Sequence, residues 1–164
     1  MKSRLQFAGH PLHPMVVAFP IALYVTGFIC DVLFALLHDP FWASMAFWSL
    51  VFGVIGNLGA AVTGLPDYLA ILRERSDARR VANSHLVFGV SLVVVQSLNA
   101  VIHAAGDAST GRSTALSLIV DVIALGLLGL QGWYGGELVY RHRIGVAEPE
   151  VTAPLGTGKH KKHH

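Results

Sequence analysis

The chain has 164 residues, of which 53% are hydrophobic and only 13% charged, against about 25% charged in an ordinary soluble domain. So short a soluble protein cannot bury that much apolar surface, because small domains leave a large share of it in water; with a mean hydropathy of +0.55, lipid must cover the rest. A net charge of +2 gives no reason to expect nucleic acid, and the single cysteine, Cys30, excludes an internal disulfide.

Four apolar stretches follow in chain order, at about residues 15–37, 41–64, 86–105 and 115–140. Each has about 20 residues or more, enough for a helix to cross the roughly 30 Å hydrocarbon core. The first is too long for a signal-peptide core and no small-residue cleavage site follows it. The predicted fold is all-α, an integral membrane four-helix bundle with short loops, over residues 1–146. Beyond it the chain turns polar, and residues 147–164 are predicted to be a disordered tail ending in Lys-His-Lys-Lys-His-His.

Local chemistry refines the ends of these helices. In His10-Pro11-Leu12-His13-Pro14 each proline disfavours helical geometry at the histidine before it, so the segment reads as extended. Pro14 suits the first turn of helix 1, and Pro20 should kink it. Gly64-Leu65-Pro66-Asp67 reads as the end of helix 2, with Pro66 opening a short interfacial helix through Arg75. Ser84 reads as the cap of helix 3, placing His85 in its first turn, where the helix dipole keeps an imidazole neutral. Gly56, Ala60 and Gly64 recur every four residues, and Gly126, Gly129, Gly132 and Gly135 every three. Both patterns predict close helix packing.

Basic residues set the orientation. Lys2 and Arg4 precede helix 1; Arg73, Arg75, Arg79 and Arg80 lie between helices 2 and 3; Arg141, Arg143, Lys159, Lys161 and Lys162 follow helix 4. Only Arg112 falls on the other side. The split is eleven to one, which predicts both termini in the cytoplasm and residence in the cytoplasmic (inner) membrane.

Depth then sorts the chemistry. His10, His13, His85 and His142 fall at the cytoplasmic ends of helices, with Asp67 and Glu137 at about the same level. Imidazole with carboxylate suits zinc, iron or copper, and imidazole alone suits haem iron. His13 and His85 are the first candidates as ligands, with His10, His142 and Asp67 as alternates. Glu137 would orient a histidine or pair with Arg141, four residues on. Asp31, Asn99, His103 and Asp121 gather near the outer face, where intramembrane acids mark functional sites or hold a bundle together. Asn57 and Gln131 read as interhelical hydrogen-bond partners. No nucleophile elbow, phosphate-binding glycine loop or paired-cysteine motif is present.

Gly9-His10-Pro11-Leu12-His13-Pro14, Phe19-Pro20-Ile21, Thr63-Gly64-Leu65-Pro66-Asp67, His85 and Gly132-Trp133-Tyr134-Gly135-Gly136-Glu137-Leu138-Val139-Tyr140-Arg141-His142 together resemble the bacterial membrane family called domain of unknown function 2231. The resemblance covers about residues 9–146. It departs from the family pattern at Ala18, where relatives usually carry a histidine. It implies a four-helix membrane protein and an association with redox proteins, since similar domains accompany c-type haem modules. The leading functional expectation is a membrane protein binding haem b or a transition metal at its cytoplasmic face, in electron transfer with a redox partner or as a homo-oligomer. An ion or small-solute pathway lined by Asp31, Asp121, Asn57, Asn99 and Gln131 is the second reading, and a structural subunit the third.

Overall fold

In lipid every backbone N–H and C=O must be satisfied within its own segment, and an α-helix does this over any length. The computed structural model describes residues 3–74, 77–106 and 112–146. Its long helices are α1 (Leu12–Leu37), α2 (Pro40–Arg73), α3 (Arg79–Ala105) and α4 (Arg112–Gly136), the last running on into a π-helical turn over Glu137–Arg141. All four are long and apolar enough to cross a membrane. A small hairpin precedes them, with β1 (Gln6–Phe7) antiparallel to β2 (His10–Pro11). Its turn residues Ala8 and Gly9 both have positive φ, 50° and 82°. A tight two-residue hairpin turn demands this, and glycine supplies it without strain.

The helix ends depart from the apolar runs, for a common reason. Hydropathy marks the stretch that faces lipid, whereas a helix continues for as long as packing supports it. α2 does not end at Gly64 but runs through Pro66 to Arg73. Pro66 withholds one N–H, yet the turns beyond it bury Ala70 and Ile71, and Ile71 packs with Ala78 and Ala82 at the entry to α3. α3 begins at Arg79, so Ser84 is no cap and His85 lies in the second turn. The helix dipole fades within the first turn and so does not act on His85 as expected. His13 is not extended either. It sits in the first turn of α1, where Pro14 has no required N–H to lose, and only His10 precedes its proline in extended backbone.

Two residues join α1 to α2. His38 takes the left-handed conformation (φ 57°) with its N–H on the Phe34 carbonyl, and the Asp39 side chain accepts from the Phe41 N–H at 2.9 Å with Pro40 at the first helical position. So short a link forces the two helices antiparallel. Small residues of α2 then receive α1 rung by rung: Gly53 faces the Tyr24 ring, Gly56 faces Pro20, and Gly64 faces His13. A core layer takes one residue from each helix, Tyr24, Leu50, Leu92 and Ala124.

The helices pack in ring order, α1 on α2, α2 on α3, α3 on α4, and α4 back on α1. α1 and α3 therefore lie diagonally across the bundle and run parallel. Two polar pairs meet across that diagonal, His13 with His85 and Asp31 with His103. In both pairs the partners are 72 residues apart in sequence. The pairs mark opposite ends of the bundle, about 27 Å apart at a rise of about 1.5 Å per residue. The His13–His85 end carries Arg4, Arg73, Arg79, Arg80, Arg141 and Arg143 and is the basic end of the bundle.

The glycine ridge of α4 corrects a sequence expectation. A Cβ added at Gly126, Gly129 or Gly132 would meet nothing within 4 Å, and all three are exposed. Each step of three residues falls about 60° short of a full turn, so four glycines spaced by three wind halfway around the helix. Only Gly135 reaches the core. Adding a Cβ at Gly53 would bring it 2.6 Å from the Tyr24 ring, and overpacking costs roughly 1–3 kcal/mol, more than the roughly 1 kcal/mol of helix propensity gained from alanine. Thermal unfolding in detergent should therefore show Gly53→Ala destabilised and Gly129→Ala unchanged or slightly stabilised. Equal effects at the two positions would contradict this packing.

Candidate functional site

At the basic end His13 and His85 are mounted in the same way. His13 Nδ1 lies 2.8 Å from the Ala60 carbonyl oxygen of α2, and His85 Nδ1 lies 3.0 Å from the Gln131 carbonyl oxygen of α4. In each case the residue one turn later is glycine, Gly64 and Gly135. A Cβ on Gly64 would stand 2.8 Å from His13 Nδ1, and one on Gly135 would stand 3.2 Å from His85 Cε1. A side chain four residues on would cover the carbonyl, so the missing Cβ is what opens it to the imidazole. A carbonyl oxygen only accepts, so each Nδ1 carries the hydrogen and donates it. In the neutral ring Nε2 then keeps its lone pair.

The two rings meet across the diagonal with centroids 6.1 Å apart and planes at 81°. Both are half-buried. Their equal depth follows from their places in the first two turns of parallel helices. Among the described residues no group of three or more His, Cys, Asp or Glu side chains converges as a metal site. The pair thus offers two imidazole donors, with no third ligand among the described residues.

The remaining basic-end candidates are engaged elsewhere. Asp67 accepts from the Ser3 hydroxyl at 2.7 Å and from the Arg4 backbone N–H, tying the N-terminal segment to α2. Glu137 accepts from Arg141 at 2.9 Å, the i, i+4 pair. His10 is exposed in β2. His142 lies beside Arg79, Arg80 and Arg141 in a surface groove at the start of α3. None of these four is brought to the His13–His85 pair.

At the opposite end the expected polar group does assemble. Asp31 Oδ2 is 3.0 Å from His103 Nε2 and 2.9 Å from the Ser117 hydroxyl. Ser117 also lies 2.7 Å from Asn99 Oδ1 and 2.8 Å from His103 Nε2, and Asn99 Nδ2 donates to Asp121 Oδ1 at 2.7 Å. The Asp121 carboxyl also faces Asp31 and Gln96. Asp31, Asn99 and Asp121 are fully buried. Sequence reasoning missed Ser117, Gln96 and Tyr24. The signal for two of them was there, since Gln96, Asn99 and His103 fall at spacings of three and four on one face of α3, and Ser117 stands one turn before Asp121.

The family model for "Predicted membrane protein (DUF2231)" matches residues 9–148. The chain belongs to this family of membrane proteins. The match spans the hairpin's second strand, all four helices and the π-helical turn, and so contains every residue of both polar sites. No curated protein and no solved structure matches the chain.

Proposed function

We propose that this membrane protein binds a transition-metal centre, haem b iron or a single ion, between His13 and His85. The observation that carries the reading is the shared mount of the two rings: each Nδ1 donates to a helix carbonyl laid open by a glycine, and each Nε2 is left with its lone pair. Metal-ligating histidines characteristically donate their other ring N–H to such an acceptor, which fixes the tautomer and raises ligand basicity. With ring centroids 6.1 Å apart, the two imidazoles lie near enough that both would reach a single metal ion. Two donors fall short of the three or four that zinc takes from a protein. Two imidazoles would suit haem iron, or an ion completed by water. Such a group supplies one-electron chemistry when bound; the chain's own part is to orient the rings, hold their tautomers and keep the site half-buried.

The site then lies at the cytoplasmic face of the inner membrane, because the eleven-to-one split of basic residues favours both termini inside. All six described arginines assigned to the cytoplasmic side by sequence stand at the basic end, next to the histidine pair.

Purified protein should carry either a Soret band or a stoichiometric metal ion. His85→Ala should abolish it, His38→Ala at the far end should retain it, and Gly135→Ala should weaken binding by about tenfold or more, as loss of a ligand's supporting hydrogen bond does. Occupancy unchanged in His85→Ala, or a wild type with neither absorption nor metal, would remove this reading. For the orientation, with Cys30 replaced, a cysteine at Arg112 should react with an impermeant thiol reagent on intact cells and a cysteine at Arg79 should not. The reverse pattern would invert the topology.

A further inference from the structure

The interior of this bundle is polar along its axis, and the metal reading does not use most of that polarity. The offset of 72 between α1 and α3 puts Tyr24 level with Gln96, two turns in from Asp31 and His103. Asn57 faces the Tyr24 hydroxyl from α2, and Gln131 reaches across to the Gly89 backbone one turn short of the histidine pair. From Asp31 to His13, a polar side chain therefore enters the core at nearly every helical turn, over about 27 Å, close to the roughly 30 Å of a hydrocarbon core.

Several of these groups are poorly satisfied. Tyr24 Oη, Asp31 Oδ1, Asn57 Nδ2, Gln96 Oε1 and Asp121 Oδ2 are buried without a hydrogen bond of good geometry, although Tyr24 faces Asn57 and Asp121 faces both Asp31 and Gln96. Tyr24, Asp31, Gln96 and Asp121 are each no more than 1% exposed. A mere structural network would satisfy its members, because an unpaired buried polar group is costly and in lipid finds no substitute. The carboxyl oxygens left without good hydrogen bonds belong to two acids that face each other, near enough to share one proton. The remaining unpaired atoms lie on the side leading toward the basic end.

We propose that the Asp31–Asp121 carboxyl pair is a proton-exchange site, and that the buried polar line from His103 through this pair to Tyr24 and Gln131 carries protons along the bundle axis. His103, whose side chain is 11% exposed, takes a proton from solvent at that end. It passes the proton to Asp31 directly or through Ser117, which touches both. The pair releases its own proton from Asp121 to water held at Gln96 Oε1 and Tyr24 Oη, so one proton enters and one leaves, and no heavy-atom bond changes. Among the described residues the groups shown against the pair are Cys30 on α1, Gln96, Asn99 and His103 on α3, and Ser117 on α4; of these His103 and Cys30 are the titratable ones. Sodium fits less well. Membrane sodium sites draw on unwound backbone carbonyls, whereas α1, α3 and α4 are unbroken at this level. The proposal is independent of metal binding at His13 and His85.

The test uses the full chain in liposomes containing a pH-sensitive dye, with chelator present and an inward-negative potential set by potassium and valinomycin. Wild type should acidify the interior at least about tenfold faster than protein-free vesicles. Asp121→Asn should fall to the protein-free rate while keeping its metal or haem content, and Asp121→Glu should retain conduction. Wild-type vesicles no faster than empty ones, Asp121→Asn conducting like wild type, or uptake that follows a sodium gradient instead of pH would each overturn the proposal. Should Asp121→Asn fail to fold, infrared spectroscopy of wild type decides. A carboxylic-acid C=O band at neutral pH that shifts in heavy water supports the shared proton, and its absence refutes it.

Discussion

Polar side chains in lipid must find their partners inside the protein, and this constraint organises the whole bundle. Large apolar residues such as Phe19, Trp48, Phe52 and Val87 face outward, so the outer surface distinguishes no particular rotation of one helix against another. The polar residues do. Histidines and acids on α1 and α3 meet across the diagonal at both ends with one constant register, and helices α2 and α4 close around them with carbonyls, a serine and an acid. Sliding α1 by a turn relative to α3 would break both contacts together and part the buried Asp31 from His103, at a cost of about 1–3 kcal/mol.

Glycine contributes through what it uncovers. In α2, Gly53, Gly56 and Gly64 sit on the face that receives α1, and Gly64 alone turns that proximity into chemistry by baring the Ala60 carbonyl. That oxygen also accepts from the Thr63 hydroxyl at 2.9 Å, so the helix keeps a concentrated acceptor beside the ring. α4 repeats the device with Gln131 and Gly135. The two polar centres thus differ in kind. The basic end offers nitrogen lone pairs on a rigid mount, whereas the opposite end offers opposed carboxyl oxygens, one imidazole and a hydroxyl.

Much of this was legible in the chain, within limits that have physical causes. Apolar length identified four membrane helices because a single segment satisfies its own backbone in lipid only as a helix, but it could not find their ends, since Arg73 and Arg79 lie in helices that outrun the hydrocarbon. Counting turns from those ends put His13 with His85 at one depth, and Asp31, Asn99, His103 and Asp121 at another. Depth says nothing of lateral order, so the diagonal placement of α1 and α3 was hidden, as was the engagement of Asp67 by Ser3 and of Glu137 by Arg141. Reading glycines by spacing alone succeeded at Gly56 and Gly64, whose interval of four stays near one face, and failed at Gly126, Gly129 and Gly132, whose interval of three drifts away from it. The carbonyls of Ala60 and Gln131 were invisible because every residue has one, and only a folded neighbour shows which are open.

The central claim is that two helix carbonyls hold His13 and His85 with Nδ1 donating and Nε2 bare, ring against ring. Solid-state nitrogen NMR of histidine-labelled protein in bilayers reads this directly, the two signals being assigned by their loss in His13→Gln and His85→Gln. At mildly alkaline pH both rings should show a protonated Nδ1 and an unprotonated Nε2, with magnetisation passing between them. An Nε2–H tautomer in either ring, or no transfer between the two, would contradict the account.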